Sequence, residues 1–236
     1  MKRKYRSGLA SVLQGIHAAV TQGASLARSA ERLQSEGDHA LALSVAVLSL
    51  EEIGKALLID GLLFAKAGDE KAAVFERGHR KHTEKLRYVQ ALPMYLEKQA
   101  TADPRSEDAK YHERIAAATK DFNAARAELI SALDVPEGFE ALDRFKQRGF
   151  YTELKDGMIF ELPAKSISLS LAAAVVTVAR TAANAAEIPF EVGVEPYVEF
   201  IEGIRGAMTE AQHQELEVKL ARLYRPDPDQ EGGSVH

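Results

Sequence analysis

The stretch HALALSVAVLSLEEIGKALLIDGLLFAKA, residues 39–67, decides how the rest of the chain is interpreted. It is long enough for a helix and apolar on almost every side, which is typical of a helix buried at the centre of a bundle. Three of its charged residues, Glu51, Glu52 and Lys55, lie close together in the sequence. On a helix, Lys55 projects about 40° from Glu51 and about 60° from Glu52. The three charges therefore share one sector and form a polar island on an apolar face.

Such an island needs partners, because an unpaired buried charge costs several kcal/mol. In a structural interpretation, Glu51 pairs with Lys55 one turn later and Glu52 finds its partner on a neighbouring helix. In a functional interpretation, the island lines a site and sets the protonation state of a catalytic group. The spacing alone leaves both interpretations open.

A second charged segment, FERGHRKHTEKL at residues 75–86, contains the expected partners of the island. On a continuous helix His82 falls on the apolar face with Leu86 and Val89, and Lys85 lies at the edge of that face. A histidine held beside a glutamate can act as a general acid or base near neutral pH. The arginines of this segment could bind phosphate, or could form an ordinary charged surface. His82 is therefore either a core residue or a catalyst.

The remaining sequence is mostly of helical periodicity. It predicts helices over residues 9–36, 39–67, 70–97, 106–133, 139–148, 164–187 and 209–224, with Pro93 kinking or ending the third. Residues 150–162 are strand-like around the hairpin turn Asp156-Gly157. Glycines inside the helices are expected to permit close packing. The predicted fold is an all-α bundle with a small β-hairpin or extended insertion near 150–162, comprising one domain (1–224) and a disordered tail (225–236).

Composition excludes several classes of protein. The 236 residues include 30 Lys and Arg against 35 Asp and Glu, a net charge of −5, which argues against coating nucleic acid through bulk charge but permits a local basic site. The absence of cysteine excludes disulfides, zinc ribbons, iron–sulfur clusters and thiol nucleophiles. The most apolar stretch, residues 40–64, carries four charges, so it is a poor membrane span. We expect a soluble, cytoplasmic protein.

Three stretches resemble the motifs of the AbiV-type abortive infection proteins of bacteria, which are placed in the HEPN superfamily of helical bundles. Residues 40–58, with EEIGK at their core, resemble the family signature. HTEKL at 82–86 resembles the second motif, a histidine followed three residues later by lysine. KQRGFY at 146–151, followed by Asp156-Gly157 and Pro163, resembles the third. The matches stand in the family's order and span about residues 9–187.

The resemblance implies an HEPN-like bundle that aborts phage infection, an effect attributed to shutdown of translation. Many HEPN proteins are metal-independent endoribonucleases that dimerise through the helices carrying the site. Their usual motif is arginine, four to six residues, then histidine, and Arg77 and His82 have that spacing. An unbroken helix would turn Arg77 about 140° away from His82. Both could serve one site if Gly78 breaks the helix, or if Arg77 acts across a dimer interface.

The first functional hypothesis is therefore a ribonuclease. His82 would deprotonate the ribose 2′-hydroxyl, a glutamate of the island would orient His82, and Lys55 would keep the carboxylates ionised. Nearby cations would stabilise the developing negative charge, and Tyr151 could bond phosphate or stack on a base. The candidate catalytic residues are His82, Glu51, Glu52, Lys55 and Lys85, and the candidate RNA contacts are Arg77, Arg80, Arg148 and Tyr151. The expected partners are RNA, a second copy of the chain in a homodimer, and a phage-encoded activator or target protein.

Two alternatives remain. In one, the protein is not catalytic and binds a phage product or a component of the translation machinery, and the polar island is structural. In the other, His79 and His82 bind a metal with the glutamates, since Glu76 and His79 have the spacing of a di-iron ligand pair. Lys55 within the island would repel a cation, so no metal and no cofactor is predicted.

Overall fold

The computed structural model confirms an all-α fold with a small hairpin. It describes residues 9–60, 81–102, 105, 107–133, 138–151, 153–155, 159–161, 163–196, 198–199 and 209. In these ranges the helices are α1 (Leu9–Ser35), α2 (His39–Asp60), α3 (His82–Val89), α4 (Leu92–Ala102), α5 (Ala109–Leu133), α6 (Leu142–Phe150), α7 (Pro163–Ser166) and α8 (Leu169–Glu187). Short 3₁₀ turns cover Gly138–Ala141 and Ile188–Phe190. The strands β1 (Glu153–Lys155) and β2 (Ile159–Glu161) pair in antiparallel fashion, with Leu154 opposite Phe160.

Helix α2 is the central helix of the bundle, as its uniformly apolar sequence predicts. It packs against α1, α3, α6 and α8, and its residues Leu43, Leu50 and Ile53 are fully buried. The Ser49 hydroxyl donates a hydrogen bond to the Gly23 carbonyl of α1 at 2.7 Å. Every neighbour of α2 is therefore positioned by contact with this one helix.

Two glycines allow helices to approach α2 at backbone distance. A Cβ atom on Gly54 would lie 1.9 Å from the carbonyl oxygen of Lys85 on α3. A Cβ atom on Gly149 of α6 would lie 2.0 Å from Ser44 Oγ and 2.5 Å from the Ala40 carbonyl oxygen of α2. The expectation that Gly54 serves close packing is confirmed. Helices α3 and α6 consequently contact the α2 backbone directly. The contact with α3 follows Glu51 along α2, and the contact with α6 precedes it.

The predicted third helix is not continuous, and its interruption lies directly before Pro93, as expected. Helix α3 ends at Val89, and α4 begins at Leu92 after a break at residues 90–91. Pro93 lies in the first turn of α4. Backbone N–H groups there have no carbonyl partner within the helix, so the missing N–H group of proline costs no hydrogen bond. The proline therefore interrupts the predicted helix and lies in the first turn of the helix that follows.

The predicted helix 164–187 is likewise divided. Helix α7 ends at Ser166, and the buried Ile167 separates it from Ser168, whose hydroxyl accepts a hydrogen bond from Leu171 N at 3.2 Å. This side-chain cap satisfies a backbone donor at the start of α8. The extension of α2 to residue 67, the start of the third helix, the Asp156-Gly157 turn, the last helix and the tail lie outside the described residues. The domain boundary at residue 224 stays a prediction.

The segment Leu169–Phe190 is long and apolar enough to cross a membrane by length and composition. The most apolar 18 consecutive residues of this segment are 56 % buried inside the bundle. Helix α8 packs there on α1, α2 and α5. This burial is consistent with a core helix. The cytoplasmic location stays a prediction.

The close approach at Gly54 predicts the effect of adding one methyl group. Gly54→Ala should lower the free energy of unfolding by about 3 kcal/mol, because the Lys85 backbone cannot move aside cheaply. Gly15→Ala on α1 is the control, since its Cβ would lie 3.9 Å from Ile59 Cδ1, an ordinary contact. There the higher helix propensity of alanine should leave stability unchanged or raised by about 0.5–1 kcal/mol. Urea denaturation measures both, and equal effects would contradict the packing described.

Candidate functional site

The carboxylate of Glu51 is buried and shared between two neighbouring helices. His82 Nδ1 of α3 lies 2.6 Å from Glu51 Oε2, and Lys146 Nζ of α6 lies 2.6 Å from Glu51 Oε1. The same ammonium lies 2.7 Å from Asp143 Oδ1, one turn earlier on α6. We call these four residues, Glu51, His82, Lys146 and Asp143, the Glu51 centre.

The backbone contacts with α2 bring these side chains together. Lys81 has extended backbone angles (φ −96°, ψ 120°), so α3 begins at His82. Gly54 lies three residues after Glu51 and touches Lys85, three residues after His82, so the two helices advance side by side. On α6 the Ser44 hydroxyl donates a hydrogen bond to the Lys146 carbonyl at 3.0 Å. Each partner of Glu51 is therefore placed by a close contact about one turn away.

The geometry fixes which nitrogen of His82 carries a proton. An ionised carboxylate only accepts hydrogen bonds, so the nitrogen facing Glu51, Nδ1, is the protonated one. The His82 side chain is 50 % exposed, and its Nε2 has no hydrogen-bond partner in the part of the chain that the structure describes. A neutral His82 therefore offers an unprotonated Nε2 at the surface. This is the arrangement of a general base oriented by a carboxylate.

Lys146 is the internal cation of the centre. The residue is only 3 % exposed. Burial lowers the pKa of Lys146, but the contacts of its ammonium with the Asp143 and Glu51 carboxylates raise the pKa by more, so the net shift is upward. The ammonium is therefore protonated at neutral pH and compensates the buried carboxylate.

Glu51, His82 and Asp143 also offer ligand atoms that lie within 4.8 Å of one another. A divalent cation among them would meet the Lys146 ammonium, which already contacts two of the three. Like charges at such a distance repel strongly in a buried site. The donor set therefore suits the lysine already present and not an added metal ion. The alternative ligands His79 and Glu76 lie outside the described residues.

The pairing expected in the structural interpretation is wrong. Lys55 bonds Glu52 at 3.1 Å, three residues away on the same helix, and does not pair with Glu51. Glu52 consequently finds its cation within α2, whereas Glu51 reaches neighbouring helices. Lys55 is also not the cation that compensates Glu51, since Lys146 has that place. The polar island is thus divided into a buried acid and a partly exposed ion pair.

The other predicted site residues lie outside the Glu51 centre. Lys85 is partly exposed and makes no side-chain hydrogen bond or ion pair within the described ranges. Arg148 lies two residues after Lys146, so it projects from the opposite face of α6, with its guanidinium 5.9 Å from the centre of the Phe145 ring. Tyr151 follows α6 and is 64 % exposed.

Arg77 and Arg80 lie outside the described residues. Lys81 is extended and α3 begins at His82, so Arg77 and His82 do not belong to one unbroken helix.

Sequence analysis missed Lys146 and Asp143. A usable signal was present, because Lys146 follows Leu142 by four residues and precedes Gly149 by three. All three therefore share one face of α6, and all three are buried. A lysine on the apolar face of a short amphipathic helix indicates a buried ion pair.

The model of the AbiV family of HEPN proteins matches residues 11–184, well over half of the chain. The chain belongs to the AbiV family. The match assigns this AbiV-family protein to the HEPN superfamily and to abortive infection, and it includes the whole Glu51 centre. Searches of curated proteins and of solved structures give no match.

The different surroundings of the two glutamates in this AbiV-family protein predict different stabilities. Glu51→Gln should lower the free energy of unfolding by about 3 kcal/mol, because it leaves the buried Lys146 with one carboxylate fewer. Glu52→Gln removes only a partly exposed pair within one helix and should cost about 0.5 kcal/mol or less. Urea denaturation of the two variants at neutral pH measures the difference. Equal losses would contradict the assignment of Glu51 as the buried acid.

Proposed function

We propose that this AbiV-family protein is a metal-independent endoribonuclease whose cleavage of RNA shuts down translation during abortive infection. The proposal depends above all on the His82–Glu51 pair. Nδ1 of His82 lies 2.6 Å from Oε2 of the buried Glu51 carboxylate, while half of the His82 side chain is exposed. A histidine with one nitrogen fixed inside and the other facing solvent can reach a large substrate such as RNA.

The reaction that suits this pair is transesterification of the RNA backbone. His82 Nε2 takes the proton of a ribose 2′-hydroxyl, and the 2′-oxygen attacks the adjacent phosphorus. The bond from phosphorus to the 5′-oxygen breaks, and that oxygen receives a proton from the imidazolium or from water. The fragments carry a 2′,3′-cyclic phosphate and a 5′-hydroxyl. Glu51 stabilises the imidazolium formed in the first step.

Two lysines support the handling of phosphate. Lys85 lies one turn after His82 on α3, and its backbone touches Gly54, the neighbour of Lys55 on α2. Both are partly exposed, and cations there would stabilise the charge that develops on phosphate. Because the chain has a net charge of −5, attraction of RNA has to come from such local groups.

The outer face of α6 suits nucleotides that flank the cleaved bond. Arg148 and Tyr151 lie exposed there and could contact phosphate and stack on a base. Arg77 and Arg80 remain predicted RNA contacts.

A second candidate function is favoured by the burial of Glu51 and Lys146. Some buried charge pairs have no role beyond holding helices together. In that case the protein acts without catalysis, by binding a phage product or a component of the translation machinery. Cleavage of RNA distinguishes the two functions.

The deciding experiment is incubation of total bacterial RNA with the full-length protein in excess EDTA. Wild type should release discrete fragments ending in 2′,3′-cyclic phosphate, and His82→Ala should lower the rate about 10²–10⁴-fold, the usual contribution of a general base. His112→Ala, an exposed histidine on α5, is the matched control and should cleave like wild type.

Full activity of the His82→Ala protein would contradict the assignment of the base. If RNA stays intact with every protein, phage lysate is added to the same samples. Cleavage that then depends on His82 would indicate a phage-encoded activator, and intact RNA would favour the binding function.

The phosphate role of the lysines predicts a separate effect on affinity. Lys85→Met should raise KM for RNA and reduce the slope of log affinity against log salt by about 0.7, the value for one contact to a single strand. Lys110→Met, an exposed lysine on α5, is the control and should change neither. Titration of labelled RNA at several salt concentrations measures both quantities. An unchanged slope for Lys85→Met would exclude Lys85 from the interface.

A homodimer is also part of this proposal. In HEPN proteins the helices that carry the site commonly form the dimer interface, and the same arrangement is proposed here. Light scattering at micromolar concentration should give twice the mass of one chain. A purely monomeric protein that still cleaves RNA would separate catalysis from dimerisation.

A further inference from the structure

Lys146 is the most deeply buried cation of the described residues, and the proposed reaction does not use it directly. Its side chain is 4 % exposed, so RNA cannot reach its ammonium. That ammonium contacts Glu51 Oε1 and Asp143 Oδ1, and Glu51 Oε2 contacts His82. A continuous chain of polar contacts thus leads from a buried cation to a half-exposed imidazole.

The charge of Lys146 determines what the Glu51 carboxyl group can do. A buried carboxyl group without a cation sheds its charge by binding a proton. A protonated carboxyl group donates a hydrogen bond through one of its oxygens, and when that oxygen is Oε2 the facing Nδ1 of His82 has to accept it. The proton of a neutral imidazole would then reside on Nε2. The nitrogen that faces solvent would lose its capacity to act as a base.

We propose that Lys146 is a positioning residue that keeps Glu51 an acceptor and thereby holds the proton of neutral His82 on Nδ1. Lys146 occupies one carboxylate oxygen and leaves the other to the imidazole. Asp143, three residues earlier on α6, anchors the ammonium between the two acids. The tautomer of His82 follows from this geometry alone, whereas the effect of Lys146 on cleavage rests on the proposed ribonuclease function.

The tautomer is measurable without RNA, by nitrogen NMR of full-length protein carrying ¹⁵N-labelled histidine, under conditions in which imidazole is neutral. The His82 signals are those missing from a His82→Gln spectrum. In wild type, Nδ1 should be protonated and Nε2 bare. In Lys146→Met the form with Nδ1 protonated should fall to about half or less. Lys110→Met, which removes an exposed lysine from α5, should leave the His82 signals unchanged.

The double variant Lys146→Met with Asp143→Asn keeps the test valid if the single variant does not fold. It removes one carboxylate along with the lysine, so fewer charges are left unpaired. Its His82 signals should change in the same direction. A folded variant of either kind that keeps the wild-type tautomer would overturn the proposal.

Cleavage kinetics add a second measurement that separates positioning from RNA binding. Lys146→Met should lower kcat about 10- to 100-fold, the usual loss for a group that orients a catalytic residue, with KM changed less than about twofold. A rise in KM at unchanged kcat would overturn the positioning role. If no protein cleaves RNA but the tautomer depends on Lys146, the ribonuclease proposal fails while the positioning role stands.

Discussion

The shared carboxylate of Glu51 is the interaction on which the rest of this structure depends. A charge buried in an apolar helix is tolerated only if it is paired, so α2 requires a cation from a neighbouring helix. Lys146 of α6 supplies it, and the second oxygen remains for His82 of α3. One ionised group thus fixes the relative positions of three helices, and a functional imidazole becomes part of the same arrangement.

Close backbone contacts make this sharing possible. Gly54 and Gly149 bring α3 and α6 to within backbone distance of α2, each about one turn from the side chain that reaches Glu51. At greater separations, neither hydrogen bond to the carboxylate could form. The EEIGK stretch therefore combines three features: the buried acid Glu51, the glycine Gly54 that lets α3 approach closely, and Lys55, a cation at the edge of the site.

The sequence predicts the central helix, the hairpin and the neighbouring positions of Glu51 and His82, because apolar periodicity and turn residues are local signals. It does not distinguish Glu51 from Glu52, since both fall within one sector of the helix. Only the packing of α3 and α6 decides which acid is enclosed. Pro93 is a local signal of the same kind, since the predicted helix is interrupted directly before it. Lys146 was missed because a lysine in a basic motif resembles a surface cation until its helix is packed.

The most direct test of the whole account is a crystal structure of the protein with an oligoribonucleotide protected from cleavage by 2′-O-methyl groups. We expect a 2′-O-methyl group in van der Waals contact with His82 Nε2, with Nδ1 still on Glu51 and the adjacent phosphate beside Lys85. RNA bound away from His82, or an imidazole turned away from Glu51 in the complex, would contradict it.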